Sequence, residues 1–194
     1  MPPGSRTASP LLNNMQTVKT PKHLGGHFGT THTDAGTIAF LQKHFDARSV
    51  LDVGCGPGGM QDVCEGMGLS WTGVDGDPTC IRDGVLSHDF SQGPLDTHPR
   101  DLVWSVEFVE HVEDRFLPNV LSAFKLATKA VCMTHARPGK GGHHHVNCRE
   151  SEYWIDALTS IGLTFDPSLT QQLREVSTMR REFMRNTGLI FVRL

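Results

Sequence analysis

Asp52, Gly54, Gly56 and Asp75 are the residues of this chain best placed, by type and spacing, to handle a ligand. The run Ser49-Val-Leu-Asp-Val-Gly-Cys-Gly-Pro-Gly-Gly59 empties a short apolar strand into a glycine cluster that should open a helix. Lacking Cβ atoms, Gly54, Gly56 and Gly58 accept tight or left-handed turns and let a ligand approach the backbone, with free helix amides facing it. Ser70-Trp-Thr-Gly-Val-Asp75 reads as a second buried strand ending in a carboxylate. That acid comes about 20 residues after the loop, where a ribose hydroxyl pair would be held. Spacing through Gly54, Gly56 and Gly59 also fits G-x-G-x-x-G, so spacing alone keeps a dinucleotide fold open.

The elements that must position these residues alternate. Apolar strands are expected near 49 to 53, 70 to 75, 84 to 88, 101 to 106 and 129 to 134, each followed by turn or helix signals, which implies a parallel sheet. A helix carrying Ile38, Leu41 and Phe45 precedes the first strand, capped by Thr33 or Asp34. Leu117, Val120, Leu121 and Phe124 mark one helix face, and Ser151 to Ser160 a further helix. A helical segment from Ser168 to Met184 is expected between a strand at Leu163 to Asp166 and a last strand at Gly188 to Leu194. Right-handed crossovers make this a doubly wound sheet whose ligands lie beyond the strand carboxyl ends, where strand order reverses.

The chain's 194 residues suit one domain over residues 23–194, preceded by a flexible arm at 1–22 that is rich in Pro, Ser, Thr and Asn. A net charge of −3 gives no overall attraction for nucleic acid, which makes it an unlikely partner. Five cysteines, odd in number and without a C-x-x-C pair, fit a reducing cytoplasm better than a disulfide framework. No secretory apolar region and no run of ~18 apolar residues is present, so no membrane partner is expected.

The segments Leu51-Asp-Val-Gly-Cys-Gly-Pro-Gly58, Gly73-Val-Asp75 and Asp101-Leu-Val-Trp-Ser-Val-Glu-Phe-Val-Glu-His-Val112 together resemble class I S-adenosylmethionine-dependent methyltransferases over about residues 35 to 166. The Asp52 to Gly56 signature and the Glu-His-Val segment after the fourth strand are the discriminating parts. The resemblance implies an α/β fold: a doubly wound, mostly parallel seven-stranded sheet with helices on both faces. It also implies S-adenosylmethionine as cofactor and S-adenosylhomocysteine as product. By the same resemblance Asp52 orients the methionine ammonium, Gly54, Cys55 and Gly56 admit methionine and ribose, and Asp75 takes the ribose hydroxyls. Gly76 and Asp77 would edge the adenine pocket, although Asp77 equally suits a turn before Pro78. Asp89 and Phe90 match an acid at the adenine amino group and an apolar side chain on its ring, and Ser105, Val106 and Glu107 would border the transfer channel.

His111 is the base candidate, since an imidazole of ordinary pKa near ~6.5 accepts a proton at neutral pH; packing of the site is its alternative role. The loop Gly139-Lys-Gly-Gly-His-His-His-Val-Asn147 offers His143 and His145 to a substrate. Tyr153 and Trp154 offer amphipathic rings to a substrate or to the core, and Arg181 shares an expected helix face with Arg174 and Arg185 where an anion would dock. No recognised metal-ligand spacing is present, so no metal is expected, though the histidine loop could recruit His135 or Glu107. His27, Thr31 and His32 would form a lid or a plain linker.

The expected activity is methyl transfer to oxygen or nitrogen of a small-molecule or sugar-containing acceptor, an in-line displacement in which alignment supplies much of the rate. The alternatives are a non-catalytic S-adenosylmethionine-binding protein, a nucleic-acid methyltransferase and a metal-assisted O-methyltransferase using the histidine loop. The Asp-Pro-Pro-Tyr type motif of amino-directed enzymes is absent where the chain reads Ser105-Val-Glu-Phe108.

Overall fold

The protein is described as a computed structural model covering residues 21–194, so all but the last two residues of the expected arm lie outside the described residues. Five apolar runs form parallel strands: β1 (Ser49–Val53), β2 (Ser70–Asp75), β3 (Val85–Ser87), β4 (Arg100–Ser105) and β5 (Ala127–Met133). Helices cover both faces: α1 (Ala35–Phe45), α2 (Met60–Gly66), α3 (Leu117–Phe124), α4 (Ser151–Thr159), α5 (Pro167–Val176) and α6 (Phe183–Thr187). A two-residue strand β6 (Thr164–Phe165) and a final strand β7 (Leu189–Val192) complete a seven-stranded sheet of order β3-β2-β1-β4-β5-β7-β6. β7 runs antiparallel between β5 and β6, pairing Val131 with Phe191 and Phe165 with Phe191.

Side chains alternate across the sheet, as the two-residue period of a strand requires. Leu51 and Val53 of β1 and Val103 of β4 join Phe124, Trp154 and Leu158 in one core, while Val50, Leu102 and Trp104 join Ile38, Leu41 and Leu173 in the other. Because both faces are covered, these strands are apolar almost throughout instead of alternating with polar residues. Strand order reverses between β1 and β4, so the loops after β1, β2 and β4 open into one crevice.

Of the two capping candidates, Asp34 starts α1. Its fully buried carboxylate accepts from the Thr37 amide at 3.0 Å and the Thr37 hydroxyl at 2.8 Å. The same carboxylate accepts from the Ser177 hydroxyl and, at 2.9 Å, from the Thr178 amide. This contact explains why the expected helix from Ser168 to Met184 is instead two helices. Ser177 and Thr178 turn away to bond Asp34, ending α5 at Val176, and Arg185 then donates to the Ser177 and Met179 carbonyls at 3.0 and 2.8 Å across the break. Gly36 is demanded at this junction, because a Cβ there would overlap the Val176 carbonyl oxygen. The remaining elements match the expected ones within one to three residues at each end.

Candidate functional site

The crevice is built from the turn after β1. Gly54 sits at φ +76°, and a Cβ there would overlap the ring of Phe108. The loop amides do not remain free: Gly54 and Cys55 donate to the Val74 carbonyl at 2.9 and 3.1 Å, Gly58 to the Cys55 carbonyl at 3.0 Å, and Gly59 to the Thr31 hydroxyl at 3.0 Å. Gly56 donates to Asp75 Oδ2 at 2.8 Å, while the Asp77 amide donates to Asp75 Oδ1 at the same distance. The expected amide cradle is therefore already satisfied by the protein. A dinucleotide pyrophosphate needs such amides, and those of Gly54, Cys55, Gly56, Gly58 and Gly59 are already engaged.

Asp75 thus ties the turn after β1 to the turn after β2 and still lines the cavity. Burial pushes its pKa up, and the two amides pull it back. Asp52 is 3% exposed, accepts from Trp71 Nε1 at 3.2 Å and also lines the cavity. Burial pushes its carboxyl up to about 7, against the Trp71 hydrogen bond, and the nearby Asp75 charge adds to the rise.

The cavity has a volume of about 810 Å³. Asp52, Gly54, Cys55, Gly56, Asp75, Gly76, Asp89, Phe90, Val106, Glu107, His111, His143, His145 and Arg181 all line it. Four expected residues do not. Ser105 is fully buried and its hydroxyl bolts β4 to β1 through the Val53 carbonyl at 3.0 Å. Asp77 turns inward to cap the helical turn after it, accepting from the Thr79 amide at 2.8 Å, which is the turn role weighed for it. Trp154 belongs to the core with no exposure, and the Tyr153 hydroxyl donates to Asp114 at 2.7 Å, away from the cavity. Of the two roles open to Trp154, the structure gives it the core one: α4 points Trp154 and Leu158, four residues apart, at the sheet. Arg174 and Arg185 likewise fail to share a face with Arg181, because the helix is broken between them.

Beyond β4 the backbone is strained. Glu107 lies at φ +52°, its amide donating to Thr134 Oγ at 2.8 Å and its carboxylate accepting from that hydroxyl at 3.0 Å. Burial pushes its pKa up to about 7, with the Thr134 bond and Lys140 opposing. Glu110, on the next helical turn, is fully buried and is pushed up to about 8 by burial and by Glu107. His111 Nδ1 donates to the His143 carbonyl at 2.7 Å, since a carbonyl can only accept. Burial, with His145 beside it, lowers the His111 pKa to about 4, so the ring is neutral at pH 7. His144 lies at φ +46°, in a turn of the histidine loop.

The approach segment forms another wall, with His27, Thr31 and His32 at the cavity. His23 bonds Asp89 at 3.0 Å, His27 bonds Asp77 at 3.1 Å, and His143 Nε2 donates to the Leu24 carbonyl at 2.9 Å. Lys140, Arg180, Phe183 and Asn186 also line the cavity and were not singled out from the sequence. Arg180 was hidden by the misread helix; Lys140 lies inside the glycine-histidine loop, which was itself the signal.

A family profile described as a methyltransferase domain matches residues 28–185. No functionally curated protein matches the sequence. Among solved structures, a sugar N-methyltransferase from Streptoalloteichus is similar at TM-score 0.60 and 14% identity, over 82% of this chain and 87% of that one. Magnesium protoporphyrin IX methyltransferase from Synechocystis with bound S-adenosylmethionine is similar at 0.55 and 15%, over 81% and 76%. The plantazolicin methyltransferase in complex with S-adenosylhomocysteine follows at 0.57 and 13%, over 82% of each chain. At these identities the structural likeness carries the fold, and the profile match over most of the chain carries the family. The profile matched over most of the chain, with an acid-bearing crevice at the switch point of the sheet, makes this chain a member of the methyltransferase-domain family, an S-adenosylmethionine-dependent enzyme of class I fold.

Proposed function

We propose that this enzyme methylates an oxygen or nitrogen of a small-molecule or sugar-containing acceptor that carries an anionic group. One observation carries the proposal: a single cavity of about 810 Å³ has Asp52 and Asp75 on its β1–β2 wall and the cations Lys140, Arg180 and Arg181 on its lining, beside the further acids Asp89, Glu107, Glu113 and Glu182. That volume is in the upper part of the range for small-molecule sites, and among the described residues neither Arg180 nor Arg181 has a salt-bridge partner. The five free cysteines support the cytoplasm as its compartment.

In this reading Asp75 accepts the two ribose hydroxyls, Asp52 faces the methionine ammonium, and Asp89 with Phe90 holds adenine. Val106 and Glu107 border the transfer channel. The bound cofactor supplies a methyl group already activated on a sulfonium. The protein's part is to align acceptor and methyl group and to exclude water. His111, lowered to about 4, is too weak a base to carry the rate, but its Nε2 lone pair can orient an acceptor O–H or N–H.

Cofactor binding should depend on pH through Asp52. A carboxyl near 7 in the free protein must ionise to face an ammonium, so binding below pH 7 releases a proton. Affinity for S-adenosylhomocysteine should therefore fall about tenfold per pH unit below 7 and level off above it. Calorimetric titration across that interval tests this; constant affinity would remove Asp52 from the ammonium.

Turnover is tested by incubating the enzyme with S-adenosylmethionine and a panel of hydroxyl and amine compounds, with and without acidic groups, while following S-adenosylhomocysteine and methylated mass. Acidic acceptors should be preferred, and Arg181→Ala should raise their KM about tenfold, the worth of one charged hydrogen bond. Cofactor binding with no product would favour the non-catalytic reading, and methylated nucleic acid would favour the other.

A further inference from the structure

We infer that Glu110, His111 and His145 form a binding site for one divalent first-row transition-metal ion in the wall of the acceptor cavity. One ligand atom from each of the three lies within 4.8 Å of the others. Around an ion bonded at about 2.1 Å, donor atoms stand roughly 3 to 4 Å apart, so small side-chain rotations close the set.

Glu110 is the observation that demands a partner. Its side chain is wholly buried, and neither carboxylate oxygen has a hydrogen-bond partner. Among the described residues it forms no salt bridge, and its nearest charged neighbour in effect is another acid, Glu107. Protonation alone does not answer this, because a neutral acid would still hold an unpaired O–H donor among groups that do not accept it. A cation bound by the carboxylate removes both the charge and the orphaned oxygens.

The surroundings are organised as metal sites usually are. His111 Nδ1 donates to the His143 carbonyl at 2.7 Å and His145 Nδ1 to the Lys140 carbonyl at 3.0 Å, so each neutral ring carries its lone pair on Nε2. The Glu110 carbonyl accepts from the Val146 and Asn147 amides, both at 3.0 Å, which fastens the histidine loop over the helical turn bearing the acid. Two imidazoles and one carboxylate favour Zn²⁺, Co²⁺ or Fe²⁺ over Mg²⁺. The proposal runs against the expectation, from ligand spacing, that no metal binds. His111 and His145 both line the cavity, so the open coordination positions face it and are available to water or to an acceptor heteroatom. With an ion bound, the His111 lone pair goes to the ion rather than to the acceptor. Use of the ion on the acceptor rests on the proposed methyl transfer; the ion site itself does not.

The test is metal binding by the full chain after treatment with a chelator, read by calorimetry with Zn²⁺ and by the visible absorption of Co²⁺, with Mg²⁺ as control. One Zn²⁺ per chain is expected, with d–d bands for Co²⁺ and no competition from Mg²⁺. His145→Ala and Glu110→Gln should each weaken Zn²⁺ binding at least tenfold, and His44→Ala should leave it unchanged. If Glu110→Gln does not fold, His145→Ala, a change in a partly exposed loop, decides the matter. No Zn²⁺ binding, or binding intact in His145→Ala, overturns the site. Binding lost in His27→Ala instead would move the ion to the neighbouring set His27, Asp77 and Cys80 and overturn it equally.

Discussion

Asp75→Ala is expected to weaken S-adenosylhomocysteine binding by at least a hundredfold, a loss above about 2.7 kcal/mol. Two losses add. The ribose would lose a charged acceptor for its hydroxyls, at about 1.5 to 3 kcal/mol for each bond. In addition, the Gly56 and Asp77 amides, each 2.8 Å from a carboxylate oxygen, lose their acceptor, so the two turns that shape the crevice are no longer tied together. Asp75→Asn keeps one acceptor oxygen and should fall between wild type and alanine. Calorimetry on samples shown by circular dichroism to be folded makes the measurement, and wild-type affinity in Asp75→Ala would remove this acid from the ribose site.

The largest loss of stability is expected for Asp34→Ala. The carboxylate is fully buried and accepts from five groups: the Thr37 amide and hydroxyl, the Ser177 hydroxyl, and the Thr178 amide and hydroxyl. Removing it uncaps α1 and strands buried donors, at about 3 to 5 kcal/mol. For a chain of this size that corresponds to a fall of roughly 10 °C in Tm. Because Ser177 and Thr178 lead directly to Arg180 and Arg181, acceptor KM should rise more than the Kd for S-adenosylhomocysteine. A loss under ~1 kcal/mol by denaturant titration would show that the two ends are held together by other contacts.

The turn after β1 and the acid ending β2 were legible because their signals are local: a glycine cluster behind an apolar run, and a carboxylate at a fixed distance. Asp34 shows the opposite case. Its partners Ser177 and Thr178 are more than 140 residues away, and that contact broke a segment whose own pattern favoured one helix. Trp154 carried a signal for the core half of its two readings: Trp154 and Leu158 stand one helical turn apart, the spacing of a buried stripe. The unpartnered state of Glu110 had no local signal at all, since it depends on which groups from other segments fail to reach it. The strand order was likewise beyond pattern reading except through the family resemblance.

The order β5-β7-β6 has a consequence for how the chain reaches this state. β7 follows both β5 and β6 in the chain, yet it lies between them. Until Leu189–Val192 emerges, β6 has no neighbour and β5 presents an open hydrogen-bonding edge of apolar residues. The sheet is therefore exposed to misassociation until Leu189–Val192 takes its place between its two neighbours, and it closes only when that segment docks.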